Sequence, residues 1–66
     1  MVNIEMLEKE MDRQNVADAD MAKAIKKDLS TWYRRKAAPK TMQIGEIEEI
    51  VKFLHLSKHK ATIIFL

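Results

Sequence analysis

Seven cations crowd into residues 23–40: Lys23, Lys26, Lys27, Arg34, Arg35, Lys36 and Lys40, opposed by Asp28 alone. Inside that block stand the Trp32-Tyr33 pair and the hydroxyls of Ser30 and Thr31. Lys and Arg neutralise phosphates, while short polar side chains reach base edges, so this mixture suits a nucleic acid or another anionic partner. The bias is local. Residues 1–22 set Lys9 and Arg13 against Glu5, Glu8, Glu10, Asp12, Asp18 and Asp20, for a net −4, and residues 41–66 are neutral. The overall charge of +2 therefore conceals a +6 segment. A charge run taken alone is most often a solvated face. The aromatic pair and hydroxyls enclosed by this one favour a binding surface.

Other chemistries find less support. His55 and His59 are four apart, but Leu56-Ser57 breaks the helix between them, and neither an HExxH pattern nor a cysteine accompanies them, so no metal site is expected. Ser30 lacks a base and an orienting acid for nucleophilic work. A single glycine excludes a glycine-rich phosphate loop. Glu46, Glu48 and Glu49 read as a water-facing helix side. The five methionines read as core filler. The expectation is no enzyme, no cofactor and no small-molecule substrate.

Sixty-six residues make one small domain, 1–66, which buries only about 60% of the surface its unfolded chain exposes. Without cysteine no disulfide can staple it. No apolar run approaches the ~18 residues of a membrane span. The acidic start, with no basic stretch, argues against a secretory signal, so a cytoplasmic location and no membrane partner are expected. One Gly and one Pro leave little turn chemistry for hairpins, which makes the chain all-α.

Five short helices are expected to position the basic block. Ile4, Leu7 and Met11 recur at spacings of three and four, which predicts a helix over 4–14, capped by Asn3 and ended at Asn15. A second helix, 18–25, turns Met21 and Ile25 to the core. Asp28 caps a third, 29–36, whose one large anchor is Trp32. Residues 37–40 form the linker, because Pro39 makes Ala38 extended. Thr41 is read as the cap of a fourth helix reaching Leu54, with Ile44, Ile47, Ile50, Val51 and Leu54 as its buried stripe. Gly45, costing about 1 kcal/mol relative to Ala, suggests another backbone passing close. Ser57 caps a last helix, 58–65.

Residues 18–36 then have the form of a helix-turn-helix, which projects the first turn of its second helix into the DNA major groove. The run Met21-Ala22-Lys23-Ala24-Ile25-Lys26-Lys27-Asp28-Leu29-Ser30-Thr31-Trp32-Tyr33-Arg34-Arg35 resembles the "Leu-Ala-x-x-Ile-Gly-Ile-Ser-x-x-Thr-aromatic-Tyr-Arg" stretch of lambda-repressor-like regulators, the Cro and repressor type of phages and prophages. Ile44 to Ser57 looks like that family's fourth helix and its exit, and Ile63-Ile64-Phe65 is similar to the "Ile-Phe-Phe" ending of small prophage members. Two positions depart from the pattern. Lys26 stands where the family has Gly, at ~1 kcal/mol if φ is positive, and Lys27 stands where it has an apolar residue.

The resemblance implies a compact five-helix lambda-repressor-like bundle that binds double-stranded DNA, commonly as a homodimer on a palindromic operator. Leu29, Ser30 and Arg34 align with its base-facing positions. Lys27, Tyr33, Arg35, Lys36 and Lys40 become candidate phosphate contacts. The alternatives are that Tyr33 covers the core edge and that Arg35 pairs with an acid of the first helix. Phe53, Ile63, Ile64, Phe65 and Leu66 become the candidate dimer interface, because four consecutive apolar residues cannot share one helix side. The expected action is occlusion of a promoter, since 66 residues leave no ligand-sensing domain. The competing reading is a protein-interaction module for another regulator or host protein, against which a third helix without exposed apolar anchors would argue.

Overall fold

The computed structural model describes residues 2–66, and among them the chain is entirely helical. Its elements are α1 (Ile4–Gln14), α2 (Asp18–Ala24), α3 (Leu29–Ala37), a 3₁₀ turn (Pro39–Thr41), α4 (Ile44–Phe53) and α5 (Lys58–Phe65). No strand is present among the described residues. The Cα atoms span 28 × 24 × 19 Å.

The helix starts follow from local side-chain chemistry. The Asn3 side-chain oxygen accepts from the Met6 N–H (3.1 Å), Asp28 accepts from Thr31 (2.8 Å), and Ser57 accepts from Lys60 (3.1 Å). Each satisfies an N–H that has no partner within its own helix. α4 starts differently from expectation. Thr41 lies in the 3₁₀ turn, where its hydroxyl donates to the Ala38 carbonyl, and Gln43 is the N-cap. The Glu46 carboxylate reaches back to accept the Gln43 N–H at 3.0 Å, half of a capping box.

Three helices stop by one device. Asn15, Lys26 and His55 have φ of 58°, 61° and 52°, and none is glycine. After α2, the Lys27 N–H donates to the Ala22 carbonyl and Lys26 to Lys23; after α1, Val16 donates to Met11 and Asn15 to Asp12; after α4, Leu56 donates to Val51 and His55 to Lys52. These paired bonds satisfy the last carbonyls of each helix. The turn between α2 and α3 therefore holds a left-handed residue despite the lysine, and α2 ends at Ala24 with Ile25 as its cap.

The core gathers Leu7 and Met11 of α1, Met21, Ala22 and Ile25 from the α2 region, Trp32 of α3, Met42, Ile50 and Leu54 from the α4 region, and Ile64 of α5. Burying each large side chain contributes about 1.5–3 kcal/mol. Asn3 N–H donates to the Ile64 carbonyl at 2.6 Å, which closes the two ends of the chain onto each other.

Three expectations about α4 are corrected. Ile44 is 77% exposed and is no part of the buried stripe, because α4 begins at that residue and its first turn stands clear of the core. Gly45 has nothing within 4 Å of where a Cβ would sit, so no neighbouring backbone requires it. Glu46 is buried instead of facing water, because Arg35 and the Gln43 N–H compensate its charge.

Candidate nucleic-acid interface

α3 has one anchored side and one open side. Trp32 is completely buried and its indole N–H donates to Asp18 Oδ1 of α2 at 2.8 Å. Lys36 Nζ lies 2.9 Å from Asp18 Oδ1 and 2.9 Å from Glu8 Oε2 of α1. It also sits 5.9 Å and 5.6 Å from the ring centres of Trp32 and Tyr33, within cation–π range. Arg35 reaches the other way, to α4. Its Nε donates to Glu46 Oε1 at 2.9 Å and its Nη2 to Oε2 at 3.2 Å, a two-pronged pair.

The electrostatics match this geometry. Burial pushes the Asp18 carboxyl up, but the Lys36 ammonium and the indole N–H outweigh it and hold Asp18 below the usual carboxylate range. Burial likewise works against the Lys36 charge, and Asp18 and Glu8 together raise it above an ordinary lysine. Glu46 is held down by Arg35 and the Gln43 N–H against the cost of burial. These carboxylates fasten α3 to α1, α2 and α4. The sequence reading turned Glu46 to water and gave Asp18 and Glu8 no anchoring role. Asp18 and Glu8 leave no local signal, whereas the Gln43-x-x-Glu46 spacing is a cap signature that could have located Glu46.

This placement revises the cationic set. Arg35 and Lys36, read from sequence as phosphate contacts, are tied inward with side chains only 18% and 15% exposed. Arg35 pairs with an acid of α4, not of the first helix. Lys23, Lys26, Lys27, Arg34 and Lys40 are exposed, and none makes an ion pair among the described residues. Five of the seven cations in the basic block thus stay available to an outside partner.

The open side of α3 carries Leu29, Ser30, Tyr33 and Arg34, all exposed. Ser30 Oγ donates to Asp28 Oδ1 at 3.2 Å, and Arg34 Nη2 donates to Thr31 Oγ1 at 2.9 Å. Leu29 and Tyr33 are 40% and 48% exposed, which agrees with an outward-facing Leu29 but means that α3 does expose apolar side chains.

The candidate dimer residues divide. Ile64 belongs to the monomer core, because α5 turns it toward Leu7 and Trp32's cluster. Phe65 is half-buried against that core. Phe53, Ile63 and Leu66 are exposed. His55 ends α4 in the left-handed conformation and His59 lies in α5. No family model matches the chain, and no curated protein or solved structure matches it.

Proposed function

We propose that the protein is a sequence-specific regulator of the Cro and repressor type, which binds duplex DNA by laying the open side of α3 in the major groove. One observation carries this reading. The acids around α3 are spent on anchoring it, while Arg34 on its open side, Lys23, Lys26 and Lys27 before it and Lys40 after it are exposed without an ion pair among the described residues. In this arrangement Arg34 forks onto O6 and N7 of a guanine, and Ser30 offers a small polar group to a base edge. Lys27 and Lys40 neutralise phosphates, with Lys23 and Lys26 beside them. Phe53, Ile63 and Leu66 join two copies, and the paired copies occlude a promoter.

Selection of binding sites from random duplexes, followed by titration at 50–200 mM salt, tests the reading. A recurrent site is expected, with log affinity falling against log salt at about −0.9 per phosphate contacted. No duplex binding would overturn it. The exposed Leu29 and Tyr33 favour the second reading, a protein-interaction module on the same scaffold, which a protein partner bound through α3 with no DNA affinity would establish.

A further inference from the structure

α3 is held like a beam on a pivot. Its fixed point is Trp32, fully buried, with the indole N–H on Asp18 Oδ1 at 2.8 Å. The helix packs chiefly on α2 and the 3₁₀ turn, so its tilt relative to α1 is set by side chains and not by close backbone packing. Two adjacent cations near its end make the connections. Arg35 reaches Glu46 of α4, while Lys36 reaches Asp18 of α2 and, at 2.9 Å, Glu8 of α1. Asp18 alone gives Lys36 a counter-charge, and Glu8 is itself 49% exposed, so the second carboxylate adds little to stability. Its distinct contribution is a fixed distance between α1 and the end of α3.

That distance matters because of leverage. At the rise of an α-helix, Lys36 stands about 6 Å beyond Trp32, and Ser30 and Leu29 stand about 3–4.5 Å before it. Tilting α3 about Trp32 therefore moves its first turn and Arg34 in opposite directions. A shift of about 1 Å at Lys36 displaces the first turn by about 0.5–0.75 Å, and a binding constellation tolerates only about 0.5 Å. The Lys36 ammonium also stands 5.6 Å from the ring centre of Tyr33, so its displacement reaches the open side directly. We infer that Glu8 is a positioning residue for base recognition, acting through Lys36 to fix the tilt of α3 in the groove; this rests on α3 entering the major groove as proposed above. A carboxylate repels phosphates, so any contribution of Glu8 to discrimination between duplexes passes through Lys36.

Glu8→Ala is compared with Glu5→Ala, which removes the same charge one turn earlier from an exposed acid that makes no ion pair among the described residues. The readout is the ratio of affinities for the selected duplex and a random duplex. Loss of an acid by itself raises both affinities alike, so Glu5→Ala is expected to leave the ratio unchanged. Glu8→Ala is expected to lower it about fivefold, and Glu8→Gln, which keeps an oxygen for the ammonium, to recover most of the loss. In proton–nitrogen correlation spectra of the free protein, the Trp32 indole N–H shares Asp18 with Lys36 and is expected to shift in Glu8→Ala but not in Glu5→Ala. The dispersion of the same spectra confirms that each variant folds. An unchanged ratio in Glu8→Ala, an equal change in both variants, or an unmoved indole resonance would overturn the positioning role while leaving DNA binding standing. Failure to bind any duplex would overturn both readings together.

Discussion

Lys27 and Lys36 carry the same charge in opposite settings. Lys27 is exposed without an ion pair among the described residues, whereas Lys36 is enclosed by Asp18, Glu8 and two aromatic rings. Lys27→Ala should reduce the salt slope of DNA binding by about 0.9 and leave stability nearly unchanged. Lys36→Ala should leave the slope intact and cost about 1 kcal/mol of stability, because Asp18 keeps the indole N–H but loses the ammonium that ties α3 to α1 and α2. Anisotropy titrations and urea melts of the two variants separate these outcomes, and a flattened slope in Lys36→Ala would restore it to the phosphates. Glu10 shows the same inward use of charge. It is buried in α1 and bound by Arg13, Gln14 Nε2 (2.7 Å) and Lys60 Nζ (3.0 Å), while Gln14 also donates to the Leu54 carbonyl. Chiefly through Arg13, its carboxyl is lowered to about 2 from 4.5. A lowered folded-state value means its contribution is complete above pH 4.5 and is lost as pH falls toward 2. Asp18, Asp28 and Glu46 are lowered and act with the same sign. Stability by urea melt should thus fall between pH 5 and pH 2, and less steeply in Glu10→Gln; an equal fall in both proteins would remove Glu10 from this role.

At the scale of the element, α4 separates what sequence spacing can carry from what it cannot. The positions of α1, α3 and α5 were legible because Asn3, Asp28 and Ser57 are caps whose effect is local. The stop at Asn15 was legible for the same reason. Ile44 fits the helical stripe by spacing alone, yet stands in water, since periodicity cannot show that the first turn of a helix overhangs its neighbours. Burial of Glu46 depended on Arg35, eleven residues earlier, and pairing of Lys36 depended on Asp18 and Glu8; such distant partners leave no trace in a local pattern. The open residues of α3 were legible because one anchor, Trp32, fixes which side faces inward. Thermal and urea denaturation check this picture of α4. Ile44→Ala should change stability by no more than about 0.5 kcal/mol, against about 2–5 kcal/mol for the buried Ile50→Ala. Gly45→Ala should stabilise by about 0.5–1 kcal/mol, since the added methyl meets nothing. A destabilised Gly45→Ala would mean that a close neighbour exists after all.

The whole molecule is smaller than the task assigned to it. Its longest Cα extent is 28 Å, whereas successive major grooves on one DNA face recur at about 34 Å, so under the proposed function one copy would read one groove. Two copies joined through Phe53, Ile63 and Leu66 would read two, and would also cover apolar side chains now facing water. Sedimentation equilibrium should find a dimer that Ile63→Asp dissociates without unfolding, because Ile63 lies outside the buried core; a wild type monomeric at high micromolar concentration would defeat this interface. The account as a whole turns on whether the open side of α3 reads bases. The most direct measurement is the affinity of Arg34→Ala for the selected duplex beside its affinity for random duplex of the same length, at one salt concentration. Loss of a guanine fork should cost about 1–3 kcal/mol on the selected site and leave the random duplex nearly unaffected. Equal losses on both duplexes would make Arg34 a phosphate contact and contradict the assignment of α3 as the reading helix.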